Sequence, residues 1–150
     1  MEALIQALRS LQSSVFVYYT KAQGYHWNVE GILFEQFHEM FSDVYNDAWS
    51  SVDEYAEWIR VFKQKAVFDM PSIMSASNVR YDLGLTNNPI EMLQSLQNSN
   101  LKIISELKIA FSIAESANEQ GVADFFASRL SAHQKWDWKF SASLSTMVNN

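Results

Sequence analysis

Two histidines and two acidic residues of this chain could together hold a metal ion, because imidazole nitrogens and carboxylate oxygens are both metal ligands. His26 and His38 are twelve residues apart, and Asp53 and Glu57 are four apart. On one helix, His38 and Asp53 would point about 60° apart and lie roughly 22 Å apart along the axis. One ion with bonds of about 2 Å cannot bind both. The spacing therefore predicts a site shared by two antiparallel copies of the helix, as a two-fold dimer provides.

The element that must position most of these residues is one long helix. Its apolar residues recur every three or four positions without an intervening Pro or Gly, which is the pattern of an amphipathic helix. They are Phe34, Phe37, Phe41, Tyr45, Ala48, Val52, Tyr55, Ile59 and Phe62. A second row follows this stripe and contains His38, Asp53 and Glu57, so these side chains lie along one side of the helix.

A purely structural explanation of the four residues is also open at this point. A histidine beside an apolar stripe is more often a hydrogen-bonded core or surface residue than a ligand. Asp53 and Glu57 could form a solvated face, although like charges one helical turn apart repel each other. Either a bound cation or the neighbouring Arg60 and Lys63 could offset that repulsion.

The spacing resembles the ligand pattern of the Dps family, the ferritin-like mini-ferritins described as DNA-binding proteins from starved cells. The resemblance rests on the HWN sequence at 26–28, the His-Glu-Met sequence at 38–40 and the Asp-x-x-x-Glu pattern at 53–57. In that family the iron-oxidising centre takes the ligands His, His, Asp, Asp and Glu, at spacings of 12, 4, 11 and 4 residues. The matching positions in this chain are His26, His38, Ser42, Asp53 and Glu57.

The resemblance implies two iron positions in each site. The first would be bound mainly by His26 and Glu57, with help from Asp53, and the second would lie near His38. Ser42 departs from the family pattern, because it offers a neutral hydroxyl where the family has an aspartate. The second position is therefore expected to be weakened or filled by water.

Three residues near the proposed site are weaker candidates. Asp43 points about 100° away from Ser42 on a regular helix, so it could replace the missing carboxylate only through a local π-bulge. Glu39 and Asp43 could also face the cavity of a shell and nucleate mineral there. Trp27 either packs against its surroundings or, as in the family, lies beside the iron and absorbs oxidising equivalents.

Glu119 and Asp124 flank the turn expected between the last two helices. They could simply be helix-end charges, since an acidic residue in the first turn of a helix interacts favourably with its dipole. The resemblance implies instead that they line three-fold pores through which Fe²⁺ enters, although Ser128 stands where the family often has a further aspartate. His133 lies within the apolar stripe of the last helix and is interpreted as structural.

The chain as a whole is predicted to be a single domain over residues 1–150 with four long helices. Their expected boundaries are about 3–27, 33–64, 89–118 and 122–147. One long connection separates the second helix from the third, and Pro71 can start a short helix there. The fold class is therefore all-α, a ferritin-like four-helix bundle with a long crossover that carries a short helix.

Glycines and a capping residue predict the turns between these helices. Gly31 is placed where the chain turns after the first helix, and Gly84 is expected to end the short helix. Asn88 followed by Pro89 is typical of a helix start, since Asn caps the first turn and Pro is tolerated at its first position. Gly121 is expected in the tight link before the last helix.

Composition excludes several other classes of protein. The chain has no cysteine, so it forms no disulfide, iron–sulfur cluster or thiolate zinc site. We expect neither a signal peptide nor a membrane-spanning segment, because the chain has no basic start followed by an apolar core and no apolar run of about 20 residues, and we expect a cytoplasmic protein. The net charge is −6 and neither end carries a basic tail, which argues against DNA binding through phosphate contacts.

The function implied by the resemblance is iron oxidation and storage. A hollow dodecamer built from two-fold dimers would oxidise Fe²⁺ with H₂O₂ or O₂ and keep the ferric mineral inside, which limits oxidative damage. An alternative, favoured by Ser42, is a catalytically impaired shell that binds or buffers a divalent metal. A third interpretation, a plain helical scaffold, is disfavoured by the shared register of His26, His38, Asp53 and Glu57.

Overall fold

The protein folds into a bundle of four long helices, with one short helix in the crossover. The computed structural model describes residues 1–82, 84 and 86–148, and for 146–148 the backbone alone. The helices are α1 (Glu2–Asn28), α2 (Phe34–Val61), α3 (Met70–Ala76), α4 (Pro89–Ser116) and α5 (Gln120–Val148). The described residues contain no β-strand, and the predicted all-α bundle is confirmed. None of the described helices is both long and apolar enough to cross a lipid bilayer.

The core lies between the long helices because each of them contributes an apolar face. α1 packs mainly against α2 and also against α4, α4 packs against α5, and α3 lies on α1. Leu8, Phe41, Leu96 and Phe126 are fully buried, one from each long helix. Burying a side chain of this kind stabilises the fold by about 1.5–3 kcal/mol. The helices are therefore held firmly enough to position side chains on their surfaces.

The apolar stripe predicted for α2 faces this core. Its buried members are Phe37, Phe41, Ala48, Tyr55 and Ile59, and its partly buried members are Phe34, Tyr45, Val52 and Phe62. Asp53 and Glu57 lie outside the stripe and are exposed, while His38 is half-buried near its start. The helix therefore buries its apolar side and leaves the candidate ligands accessible.

The turn between α1 and α2 brings the ends of these two helices side by side. Gly31 has a φ of 115°, a conformation that residues with a side chain rarely adopt, as expected for the turn. The amide of Glu30 donates to the carbonyl oxygen of Asn87 (3.0 Å), and the side-chain amide of Asn87 donates to the Glu30 carboxylate (2.9 Å). These bonds tie the turn to the end of the crossover.

The short helix α3 begins as predicted but ends earlier. Pro71 occupies its first turn, and the carboxylate of Asp69 accepts a hydrogen bond from the backbone N–H three residues later (3.0 Å). The prediction that Gly84 ends this helix is wrong, because Ser77 is extended (ψ 135°) and stops the helix at Ala76. Gly84 lies later in the crossover with a φ of 87°.

Two other helix ends differ from the predictions. α2 ends at Val61 because Lys63 adopts the left-handed conformation (φ 62°) and its N–H donates to the carbonyl oxygen of Arg60 (2.8 Å). The link between α4 and α5 turns at Asn118 (φ 58°), because Asn tolerates that conformation better than most residues. Gly121, expected in this link, lies instead in the first turn of α5.

The start of α4 is confirmed at Asn88. Its side-chain oxygen accepts hydrogen bonds from the backbone N–H groups of Ile90 (2.9 Å) and Glu91 (3.3 Å), with Pro89 at the first helical position. These bonds satisfy donors that have no partner within the helix. The crossover therefore ends at a well-defined point.

Candidate metal centre

His26 and His38 lie against each other where the end of α1 meets the start of α2. Their rings are stacked, with centroids 3.7 Å apart and planes inclined by 15°. Nδ1 of each ring lies 2.7 Å from the backbone carbonyl oxygen of the other histidine. The sequence predicted both residues as ligands but not this reciprocal contact, which depends on the turn between the two helices.

These two hydrogen bonds determine which ring nitrogen is free to bind a metal. A carbonyl oxygen only accepts, so each Nδ1 carries the proton and donates it, and in the neutral form of the ring Nε2 keeps a lone pair. A neutral imidazole whose N–H is held by a carbonyl oxygen is the usual arrangement of a metal-binding histidine. Phe34 stacks on His38 (4.7 Å between centroids), and Tyr45 meets His26 edge-on (5.3 Å). Both rings are therefore held in place by the protein itself.

Ser42, one turn after His38, is contacted by the neutral side chain of Asn46. The side-chain amide of Asn46 donates to the Ser42 carbonyl oxygen (2.9 Å) and lies 3.4 Å from its hydroxyl. α2 is a regular α-helix here, without the π-bulge that would bring Asp43 to this position, and both Asp43 and Glu39 are exposed. Within the described chain, no carboxylate joins the two histidines in a common cluster.

Asp53 and Glu57 are exposed on α2 and have no cationic partner in the part of the chain that the structure describes. The ion pairs in that part are Lys21–Asp82 and Arg129–Asp47. Arg60 donates instead to a nearby backbone carbonyl oxygen (2.6 Å), and Lys63 forms no ion pair with either acid. Two negative charges one helical turn apart therefore repel each other without an offset, which makes the pair available to a cation.

The structure brings the two histidines together but leaves them apart from the acidic pair. No group of three or more His, Asp or Glu side chains among the described residues is placed to share a metal. His38 and Asp53 are fifteen residues apart in the sequence, which is roughly 22 Å along a straight helix. One copy of the chain therefore carries two separate candidate half-sites.

The other candidate residues lie at or near the surface. Trp27, next to His26, is 66% exposed, so it does not pack into the core of its own chain. Glu119 is half-buried just before α5, and Asp124 is exposed in that helix. Asp124 and Ser128 line a recess of about 290 Å³ between α2 and α5. A pore built from Glu119 and Asp124 would need neighbouring copies of the chain.

The sequence reasoning missed a polar cluster inside the bundle. Asp47 on α2 accepts two hydrogen bonds from the guanidinium of Arg129 on α5 (3.0 and 2.9 Å) and one from the indole of Trp136 (3.1 Å). Burial opposes the charge on Asp47, but the hydrogen bonds and charge of Arg129 outweigh it and lower the pKa of Asp47. One feature of the sequence could have indicated this cluster. Arg129 lies on the apolar stripe of α5, where a buried charge needs a partner of opposite charge.

His133 lies beside this cluster and is fully buried. Its Nδ1 is 2.6 Å from the side-chain oxygen of Asn100, whose amide nitrogen donates to the carbonyl oxygen of His133 (2.9 Å). Burial and the charge of Arg129 lower the pKa of His133 to about 3, so its ring is neutral near pH 7. These contacts fit the structural role that the sequence predicted for His133.

Known proteins with related sequences and structures match almost the whole chain. The ferritin-like domain family matches residues 5–148. General stress protein 20U of Bacillus subtilis is 27% identical over 143 residues, which cover 95% of this chain and 98% of that protein. The DNA protection during starvation protein of Brevibacillus brevis is 27% identical over 128 residues, or 85% of each protein. The solved structure of Dps from Staphylococcus aureus has a TM-score of 0.92 at 26% identity and covers 96% of both chains.

Proposed function

The chain belongs to the ferritin-like family and, within it, to the Dps family, and on that premise we propose that it oxidises Fe²⁺ and stores the ferric product. Membership of this family suggests iron storage and stress protection. The proposed site is shared by two copies of the chain. One copy provides His26 and His38, and the other provides Asp53 and Glu57.

The observation that carries this proposal is the pair of ligand groups left without partners. His26 and His38 each present an Nε2 lone pair, because the carbonyl bonds engage both Nδ1 atoms. Asp53 and Glu57 present negative charge with no cation of the described chain beside it. Imidazole and carboxylate groups together suit iron, and a bound cation would remove the repulsion between the two acids.

A two-fold dimer would bring these half-sites together. If two copies of α2 run antiparallel, the His38 end of one lies beside residues 53–57 of the other, and the symmetry produces the site twice. The tryptophans Trp27 and Trp49 are 66% and 54% exposed in a single chain. A dimer interface on this side of α1 and α2 would bury them. Large exposed aromatic side chains are typical of contact surfaces between proteins.

The interior of the bundle is a poor place for the metal. Ferritin-like di-iron proteins carry carboxylates and histidines from all four helices in the bundle core. Here Asp47 is already paired with Arg129, and the guanidinium would repel Fe²⁺. His133 is turned toward Asn100 through Nδ1. The half-sites at the surface are therefore the better candidates.

In this proposal the protein binds and positions iron, which is the substrate. The carboxylates of Asp53 and Glu57 favour Fe³⁺ over Fe²⁺, since a higher positive charge gains more from nearby negative charge. Reduction of one H₂O₂ to two H₂O takes up two electrons and two protons, so two Fe²⁺ become two Fe³⁺. Trp27, beside His26, would absorb oxidising equivalents that escape this reaction.

We also propose that dimers of this kind assemble into a hollow dodecamer that acts in the cytoplasm. Glu119 and Asp124 would line pores that admit Fe²⁺, because a ring of carboxylates attracts cations. Glu39 and Asp43 would nucleate ferric mineral on the inner surface. Consumption of Fe²⁺ and peroxide would protect DNA without contact, since the net charge of −6 argues against binding it.

The second candidate function is a shell that binds or buffers a divalent metal without oxidising it. Ser42 is the observation that favours it, because its hydroxyl is neutral and lies beside the amide of Asn46 (3.4 Å). A weak second iron position would slow a reaction that needs two electrons from two Fe²⁺. Metal binding at Asp53 and Glu57 would survive that loss.

Oxidation kinetics distinguish the two candidates. Metal-free protein receives Fe²⁺ without oxygen and then H₂O₂, and ferric absorbance is followed against a protein-free control. We expect fast oxidation by the protein and at least about a tenfold loss in Glu57→Gln, which removes a charged ligand and keeps its shape. Glu115→Gln, at an exposed acid on α4, is the matched control and should oxidise Fe²⁺ normally.

Two results would change this assignment. Oxidation no faster than in the protein-free control would contradict the ferroxidase proposal, and retained Fe²⁺ binding would then support the metal buffer. Equal rates for Glu57→Gln and Glu115→Gln would mean that oxidation takes place away from the proposed site.

A further inference from the structure

Five buried polar atoms among the described residues have no hydrogen-bond partner. One is the hydroxyl oxygen of Ser13, and the other four are the hydroxyl oxygens of Tyr18 and Tyr55, Nε of Arg129 and Nε2 of His133. Tyr18, Tyr55 and His133 are each at most 1% exposed. The three helices that carry these groups are α1, α2 and α5, so the groups point into the bundle from different sides.

The last four of these groups belong to one cluster. The rings of Tyr18 and His133 lie 5.7 Å apart, and Arg129 and His133 are one turn apart on the same side of α5. The charge of Arg129 acts on both tyrosines, although burial dominates and raises the pKa of each. The Arg129 guanidinium also interacts with the Tyr55 hydroxyl at close range and so lowers the pKa of Tyr55 against the effect of burial, although neither that hydroxyl nor Nε of Arg129 has a partner at hydrogen-bond distance.

The cluster contains three donors and one bare acceptor. Both hydroxyl groups and the Nε–H of Arg129 can donate. Nδ1 of His133 donates to Asn100, so Nε2 is left with a lone pair and no proton. A buried polar group without any partner lowers the folding equilibrium constant by roughly five- to one-hundred-fold. Four such groups together would cost a free energy comparable with the whole stability of a typical domain.

We propose that the bundle interior holds ordered water, which bridges Arg129 to the hydroxyl of Tyr55 and the hydroxyl of Tyr18 to Nε2 of His133. Water both donates and accepts, so it satisfies three donors and one acceptor together, and buried water usually makes about three hydrogen bonds. An ion fits less well. The charges of Asp47 and Arg129 already offset each other, so an added cation or anion would have no counter-charge.

The structure also provides a path for this water. The recess of about 290 Å³ between α2 and α5 is lined by Arg129 together with Ser50, Ser51 and Ser128. Its hydroxyl-rich wall is polar enough to be hydrated, and Arg129 connects it with the interior cluster. Water could therefore reach the guanidinium from the α2–α5 side of the bundle.

Two conservative variants test this proposal through the sign of their effect. If the hydroxyl of Tyr55 or Tyr18 bonds to water, Tyr55→Phe and Tyr18→Phe should each lower the folding equilibrium constant by about fivefold. If the hydroxyl has no partner, its removal should leave that constant unchanged or raise it. Tyr19→Phe is the matched control, because Tyr19 is only half-buried and its hydroxyl can bond to bulk water in both states. All variants are unfolded in urea at one protein concentration, since assembly affects apparent stability.

A high-resolution crystal structure of the full-length protein provides the second test. We expect water within about 3.2 Å of at least two of the four atoms. Direct hydrogen bonds among the four groups, or a dry interior together with unchanged or more stable Phe variants, would overturn the proposal. The result does not depend on iron, so the proposed oxidation is tested separately.

Discussion

Asp47 and Arg129 form a two-pronged ion pair across the bundle, with Oδ1 to Nη1 at 3.0 Å and Oδ2 to Nη2 at 2.9 Å. The indole of Trp136 donates to the same carboxylate at 3.1 Å. The Arg129 side chain is only 11% exposed and that of Asp47 is 30% exposed. Because both residues are largely removed from water, loss of one partner would leave the other with an unpaired buried charge.

Asp47→Asn should therefore destabilise the protein by about 2–4 kcal/mol. The amide cannot neutralise Arg129 and can accept hydrogen bonds through only one oxygen. The free energy of unfolding, measured with urea, checks this expectation. Asp43→Asn is the matched control, because Asp43 is exposed on the same helix, and its effect should be within about 0.5 kcal/mol. Equal stabilities of the two variants would mean that the ion pair contributes little.

A pair of glycine variants tests the packing at the start of α5. A Cβ added at Gly121 would lie 2.9 Å from Cη2 of Trp58, whereas a Cβ at Gly24 would meet no atom within 4 Å. Gly121→Ala should lower stability by about 1 kcal/mol, because the Trp58 ring must move. Gly24→Ala, inside α1, should raise it by about 0.5–1 kcal/mol. Thermal unfolding of both variants measures the contrast, and a gain at Gly121 would show that Trp58 moves without cost.

The buried His133 should make stability depend on pH. Its pKa is lowered to about 3 in the folded protein and is about 6.5 in the unfolded chain. Between these values the unfolded chain binds more protons, so stability rises with pH and is lost as pH falls from about 6.5 toward 3. The slope is at most about 1.4 kcal/mol per pH unit. Urea unfolding across this range should show a shallower slope for His133→Gln than for the wild type, and identical slopes would contradict the assignment.

Ser42→Asp tests the proposal that the second iron position is weakened. The new carboxylate would lie one turn after His38, where the family pattern has an aspartate, and should raise the initial rate of Fe²⁺ oxidation several-fold by adding a charged ligand. Ser42→Asn has a similar shape without the charge and should leave the rate near that of the wild type. Rapid-mixing absorbance with H₂O₂ measures both, and equal rates for the two variants would mean that no metal binds beside residue 42.

Most of the fold could be predicted from local signals in the sequence. The helices follow the spacing of apolar residues, and the start of α4 follows from the capping Asn88. The end of α2 and the turn between α4 and α5 were harder to predict. Lys63 and Asn118 adopt left-handed conformations there (φ 62° and 58°), and neither residue type by itself indicates such a conformation. The turn before α5 was predicted at Gly121, but this glycine instead packs closely against the ring of Trp58.

The sequence indicated candidate residues for the metal site but not the contacts that they make. The spacing of His26 and His38 indicated a metal site, yet their ring stacking depends on the three-dimensional turn at Gly31. Asp47 and Arg129 are 82 positions apart, and no local pattern links residues so distant. Long-range pairs of this kind arise from the packing of helices, which periodicity alone does not specify.

The central claim is that one iron site is built from two copies of the chain. It can be tested with two variants that are each inactive alone. The first carries His26→Ala and His38→Ala, and the second carries Asp53→Asn and Glu57→Gln. In a mixed dimer, one of the two sites combines the intact histidines of the second variant with the intact acids of the first.

The decisive measurement is the initial rate of Fe²⁺ oxidation by H₂O₂ after the two variants are dissociated, mixed in equal amounts and reassembled. Native mass spectrometry verifies that mixed dimers form. With random pairing, about a quarter of the sites are intact, so the mixture should recover about a quarter of the wild-type rate while each variant alone remains inactive. A mixture no more active than its components would contradict a site shared between two copies.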